Sequence, residues 1–83
     1  MSVYSDILDE RIRQDAKWGV QEHEHPMWSV IFNEEWGEAN QAWLHWVEEN
    51  CGEAALYREE LVQAAAVLVN MIECHDRAMN EVM

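Results

Sequence analysis

"FNEEWGEANQAW", residues 32–43, decides how this chain folds. Glu34, Glu35 and Glu38 are interleaved there with Phe32, Trp36, Ala39, Ala42 and Trp43. A helix turns about 100° per residue, so Met27, Ile31, Glu35, Glu38, Ala42 and Trp46 fall on one stripe, with Glu34 at its edge. The stripe is apolar at both ends and acidic in the middle. A second stripe, formed by Leu56, Glu60, Ala64, Val67 and Met71 with Gln63 beside it, repeats the pattern later in the chain.

Between the stripes lies "NCG", residues 50–52, a stop and a turn. Glu38 is 13 residues before Cys51 and Glu60 is nine after it. In a helical hairpin closed at that turn, the two levels differ by roughly one helical turn. The carboxylates of the two helices can then meet. Several acids in one half-buried place repel each other and are costly to desolvate. They either stay protonated or hold a cation, and oxygen ligands suit Mg²⁺ or Mn²⁺. The competing reading is a solvated acidic face, the usual fate of glutamates on helices.

Outside this region the pattern is also helical. Ile7, Leu8, Ile12 and Ala16 recur at helical spacing, which predicts a first helix from about Val3 to Lys17 with Gly19 as its C-terminal cap. Residues 19–26, "GVQEHEHP", form a loop, and Pro26 suits the first turn of a second helix reaching about Glu49. The third helix is expected from about Glu53 to Met79. Nothing in the chain alternates as a strand would. The expected class is all-α: a helical hairpin with an N-terminal helix packed on it, in a single domain.

At 83 residues one small core is marginal, yet 49% of residues are hydrophobic, including five Trp and five Met. The surplus points to an oligomer interface, most simply an isologous dimer, or else to a tryptophan-rich monomer core. The net charge of −12 argues against nucleic acid polymers and anionic membranes as partners. It does not exclude a phosphorylated small molecule accompanied by divalent cations. Cys51 and Cys74 make no disulfide framework and read as reduced thiols of a cytoplasmic protein. "MSVYSDILDE" lacks the basic start and apolar run of a signal peptide. "LVQAAAVLVNMI", residues 61–72, is too short and too polar for a membrane span.

Lys17 and Trp18, side by side at the end of the first helix, can serve a nucleotide: ammonium to phosphate, indole to base. They can equally be a surface lysine and an interface tryptophan. His23 and His25 alternate in a loop, which makes a poor preformed metal site. His45 suggests a di-iron bundle, but such sites need Glu-x-x-His, and Gln41 and Gln63 stand at those spacings. Cys74 and His75 are adjacent and diverge on a helix, so they form no nucleophile–base pair.

Taken in order, "RQDAKWG", "EEWGEANQAW" and "EELVQAAAVLVNMIE" resemble the small MazG-like all-α nucleoside triphosphate pyrophosphohydrolases over residues 8–76. The mark of that family is ExxE on one helix and ExxD on the next. "EWGE" matches with Glu35 and Glu38, preceded by Glu34; "ELVQ" matches with Glu60 and departs at Gln63. The resemblance implies a four-helix-type core completed by dimerisation, as dimers or dimers of dimers. It implies Mg²⁺, or Mn²⁺ in its place, on Glu35, Glu38 and Glu60, with Glu34 orienting or deprotonating the attacking water. It further implies cleavage of a (d)NTP to the monophosphate and pyrophosphate, in cleansing or tuning of the nucleotide pool. Gln63 would ligate the ion without adding charge, or hold one of its waters. Asn70 would contact sugar or base, unless it is a polar residue tolerated at a helix interface. Because Gln63 replaces the acid, the alternative is a non-catalytic helical binding module.

Overall fold

The computed structural model describes residues 2–82. Among these there are three α-helices, α1 (Val3–Trp18), α2 (His25–Trp43) and α3 (Ala54–Val82), with a π-helical turn at Leu44–Glu48 and no strand. The chain is all-α, as its periodicity predicts. No described helix is long and apolar enough to cross a membrane.

Each boundary has a local cause. Ser2 caps α1: its hydroxyl accepts from Ser5 N at 3.1 Å, and Ser5 Oγ accepts from Ser2 N at 3.2 Å, a reciprocal box that satisfies two otherwise free amides. The helix stops at Gly19, whose φ of 73° is costly for a residue with a Cβ. Pro26 opens α2, where its missing N–H costs nothing. At the far end the helix widens into the π turn rather than continuing as α-helix to Glu49. His45 O accepts from both Cys51 N (2.8 Å) and Gly52 N (3.1 Å), which turns the chain towards α3. Gly52 lies so close to the turn that a Cβ there would sit 2.9 Å from Trp46 N.

The centre of the molecule is α3, against which both α1 and α2 pack. The α2–α3 contact holds the apolar core, where Trp28, Val67 and Cys74 are buried and Ile31, Phe32 and Met71 close around them. The buried face of α2 is rotated from the expected stripe. It runs through Trp28, Ile31, Glu35, Ala39 and Ala42, while Met27 is 51% exposed and Trp46 37%. Trp28 causes this, because the largest side chain of the first turns is the one inserted between the helices. The rotation leaves Glu38 on the flank of α2, exposed, and Glu35 half-buried.

The α1–α3 contact is polar. Arg11, 6% exposed, donates to Glu73 at 2.7 Å and pairs with Asp15 at 3.1 Å. Arg58 reaches Asp6 at 2.7 Å. In the following loop, Arg77 binds Glu22 at 2.8 Å and the Gln21 carbonyl at 3.1 Å. Leu8 and Ile12, part of the apolar pattern of α1, instead face outwards, 59% and 60% exposed. The guanidinium of Arg11 needs its two carboxylates, and that need sets the rotation of α1.

The result is a slab of 51 × 30 × 19 Å, two helices thick. Its accessible surface, 6083 Å², exceeds the about 5,200 Å² expected of a compact monomer of 9.8 kDa. The outer face of α3 carries Leu61, Ala65, Leu68, Ile72, His75 and Met79 at alternating spacings of four and three, the seam of a coiled coil. Leu68, Ile72 and Met79 are 44%, 60% and 45% exposed there.

The two glycines of the hairpin should respond oppositely to alanine. Gly52→Ala forces the backbone of the π turn aside and is expected to destabilise by about 1–3 kcal/mol. Gly37→Ala, inside α2 with nothing within 4 Å of the new methyl, is expected to stabilise by up to about 1 kcal/mol. Urea unfolding of the two variants measures both.

Candidate functional site

A cavity of about 290 Å³ opens where the three helices converge. Each helix supplies residues one turn apart, which is why one face of each can line it. From α1 come Glu10, Arg13, Gln14, Lys17 and Trp18; from α2, Trp28, Ile31 and Glu35; from α3, Gln63, Val67 and Asn70. Gln21 of the first loop completes the lining, held by its carbonyl bond to Arg77.

The acids foreseen from the helical stripes do meet. Carboxylate oxygens of Glu35, Glu38 and Glu60 all lie within 4.8 Å of one another, across the α2–α3 contact. Burial raises the Glu35 pKa above the ordinary carboxylate range, and the negative charges of Glu38, Glu10 and Glu34 push it further. Glu60 is raised for the same reasons: burial first, then Glu38 beside it, with Glu35 and Glu59 adding to the effect. Lys17 acts in the opposite sense on Glu35. One oxygen of Glu35, Oε2, is buried without a hydrogen-bond partner. A buried carboxylate oxygen with no donor is costly. A hard divalent cation, which takes oxygen ligands, would satisfy it.

The other wall is basic. Arg13 and Lys17, one turn apart on α1, both line the cavity. Arg13 is paired with Glu10, Nη2 to Oε1 at 2.7 Å. The ammonium of Lys17 lies 4.9 Å from the centre of the Trp18 ring, and Trp18 is 65% exposed at the rim. Asn70 is buried at 2% exposure in the lining. Trp28 is buried as well, and its Nε1 has no acceptor.

Of the residues expected from sequence, Glu35, Gln63, Lys17, Trp18 and Asn70 line this one cavity, and Glu38 and Glu60 join Glu35. Glu34 is exposed and outside the lining, next to Glu35 in the chain. Gln63 turns its amide between Glu60 and Arg13. His23 and His25 lie elsewhere, in a more apolar depression of about 510 Å³ with Leu68, Met71 and Ile72, and His23 packs edge-on against Trp28 at 4.9 Å. Cys51 is exposed and Cys74 buried, both as free thiols, with Cys74 Sγ 3.3 Å from Glu22 Oε2. Sequence reasoning missed Glu10, Arg13, Gln14, Gln21 and Trp28. The first three were findable, because with Lys17 they recur at i, i+3, i+4 and i+7 and so share a face.

The repulsion among the acids makes a stability prediction for chelator-treated protein. The folded-state pKa of Glu60 lies above the 4.5 of an ordinary glutamate, so its ionisation opposes folding, fully so once the pH exceeds the raised value. Glu60→Gln is therefore expected to raise the melting temperature at pH 7, on the order of a few degrees. The advantage should vanish as the pH falls to 4.5 and below, where glutamate is protonated in both states. Thermal unfolding followed by circular dichroism across that range measures it.

No protein-family model matches the chain, and neither does any curated protein or solved structure with which it was compared.

Proposed function

We propose that this chain is a Mg²⁺-dependent nucleoside triphosphate pyrophosphohydrolase that converts a (d)NTP to its monophosphate and pyrophosphate. One observation carries the reading. Three carboxylates from two helices converge within 4.8 Å, and one of them, Glu35, lines a cavity that Arg13 and Lys17 also line. An acidic cluster on a solvated face has no such counterpart. A cavity that holds both acids and cations suits a metal-bound polyphosphate. The resemblance of "EEWGE" and "EELVQ" to MazG-like proteins agrees with it.

Glu35, Glu38 and Glu60 would hold the cation, which would supply charge withdrawal from the phosphates and activation of the attacking water. Arg13 would reach the phosphate oxygens through Nη1, the group that Glu10 and Gln63 leave free, and Lys17 as a point charge. Trp18 offers a ring for the base, and Asn70 an amide for sugar or base. Glu34 stands on the solvent side of Glu35 and takes the proton of the attacking water. The water oxygen bonds to phosphorus as the bond between the α and β phosphates breaks, and pyrophosphate leaves. In MazG-like proteins the substrate is often a non-standard or excess deoxynucleotide, and the role proposed for this chain is cleansing or tuning of the nucleotide pool in the cytoplasm.

The working unit is a homodimer or a dimer of dimers. The surface excess of the monomer, about 900 Å², matches the roughly 800 Å² that each partner buries in a standard interface. The α3 seam is self-complementary in its spacing, and a second copy would cover its exposed Leu68, Ile72 and Met79. A second reading is favoured by Gln63, which brings no charge where an acid is expected. In that reading the chain binds nucleotide and metal without turning them over.

Pyrophosphate release from a panel of canonical and modified (d)NTPs, with Mg²⁺ and with EDTA, separates the two readings. The enzyme is expected to release pyrophosphate and monophosphate only with Mg²⁺, and Glu60→Ala to lose at least about a hundredfold in kcat. Absence of turnover across the panel, with metal-dependent nucleotide binding retained, would establish the binding module instead. For the assembly, Ile72→Glu places a charge in the seam and is expected to shift the sedimentation coefficient towards the monomer, whereas Tyr4→Glu on α1 should leave the α3-mediated dimer intact.

A further inference from the structure

Gln63 sits beside the carboxylate cluster, where the matching motif would have a fourth acid. Only one orientation of its amide suits its neighbours. The nitrogen then donates to Glu60 Oε2 at 3.0 Å, and the oxygen accepts from Arg13 Nη2 at 3.3 Å. The reverse orientation would set acceptor against acceptor and donor against donor. Arg13 is held from its other side by Glu10 Oε1, 2.7 Å from Nη2 and 3.0 Å from Nε. A chain of contacts, Glu10–Arg13–Gln63–Glu60, thus crosses from α1 to α3. Both ends of the Gln63 amide are engaged in it, including the oxygen that would have served a metal ion.

We infer that the centre takes one divalent cation per chain, on Glu35, Glu38 and Glu60, and that Arg13, held in place by Glu10 and Gln63, offers its remaining N–H groups to the phosphates where a second ion would otherwise stand. This rests on the acids being a cation site. That the acids serve a ligand is supported by Glu35 Oε2, a buried oxygen with no hydrogen-bond partner, which a hard cation would satisfy.

The charge balance favours one ion. Three carboxylates and one divalent cation leave a net −1. A second ion some 3.5–4 Å away would need further oxygen ligands and bridging carboxylates. Gln63 offers no charge, and its oxygen is already taken. The fixed guanidinium beside it would repel the newcomer. The guanidinium cannot lose its proton and is shaped for phosphate oxygens, so it substitutes for the missing ion at the substrate, though not as a Lewis acid towards water. Gln63 is in this sense a positioning residue. It touches neither metal nor phosphate, and it sets the place of the arginine relative to Glu60.

The experiment is a Mn²⁺ titration of the full chain, in which the electron paramagnetic resonance signal reports free ion. It is repeated with inorganic tripolyphosphate, whose affinity is read by calorimetry at saturating Mn²⁺. The native chain is expected to bind one Mn²⁺, Gln63→Asp two, and Glu60→Gln to bind at least about tenfold more weakly. Arg13→Gln should still bind one Mn²⁺ while its tripolyphosphate affinity falls about tenfold or more, and Arg13→Lys should recover part of that loss. Gln63→Leu should behave as Arg13→Gln does. Far-ultraviolet circular dichroism confirms that each variant is folded; should Arg13→Gln not fold, Arg13→Lys and Gln63→Leu carry the phosphate measurement. Two Mn²⁺ per native chain, or tripolyphosphate affinity indifferent to Arg13 and Gln63, would overturn the inference and leave the cation site standing. Mn²⁺ binding that is absent, or indifferent to Glu60→Gln, would overturn both.

Discussion

Glu35, Glu38 and Glu60 are brought together by the same packing that buries Trp28 and Val67. The core of the α2–α3 hairpin and the repulsion among its acids are therefore not separable. Any shift that relieved the carboxylates would also open the apolar contact two turns away. Packing is dense enough to resist such a shift, and helices move as rigid bodies, so the repulsion is stored in the raised proton affinity of Glu35 and Glu60 instead. The cation proposed for the site would find its ligands already assembled.

The remainder of the molecule is arranged around that disadvantage. α1 lies on α3 through ion pairs, with the buried Arg11 between Asp15 and Glu73. A buried guanidinium with two carboxylates is satisfied, and it defines the rotation of the helix more sharply than an apolar stripe would. The face of α1 that this rotation turns inwards is polar. Glu10, Arg13, Gln14 and Lys17 therefore line a cavity instead of filling a core. The apolar Leu8 and Ile12 are left outside. With α3 also apolar on its far side, the slab has more greasy surface than a monomer of its size needs, which fits a chain that completes its core with a second copy.

Gln63 shows how one amide alters the character of an acidic cluster. An acid at that position would add charge to an already repelling group and would compete with Glu10 for Arg13. The amide does neither: it links a donor to an acceptor across the cavity. Arg13 and Glu60 are thereby joined through one side chain, which defines the spacing between guanidinium and carboxylate. In the proposed function, pre-organisation of this kind would lower the ordering cost of binding a flexible polyphosphate.

Much of the fold was legible in the chain. The three helices, the turn at residues 50–52 and the meeting of Glu35, Glu38 and Glu60 follow from a period of 3.6 residues and a rise of 1.5 Å, which are local properties of the backbone. So were Lys17, Trp18 and Asn70 as members of one cavity with Glu35. What the chain could not announce depends on the rotation of each helix about its own axis. Periodicity defines a face only to within about one residue, and the choice among neighbouring faces is made by contacts with residues far away in sequence. Trp28 rotated α2, leaving Met27 and Glu38 on its flank; Arg11, through Glu73, rotated α1, bringing Arg13 into the cavity and putting Ile12 outside. The partnership of Gln63 with Arg13 spans 50 positions of the chain and is decided only when α1 is laid on α3. The amino-acid sequence determined which groups were available and on which turn of which helix; the tertiary structure alone decided which of them face each other, because that is settled by long-range packing and charge pairing.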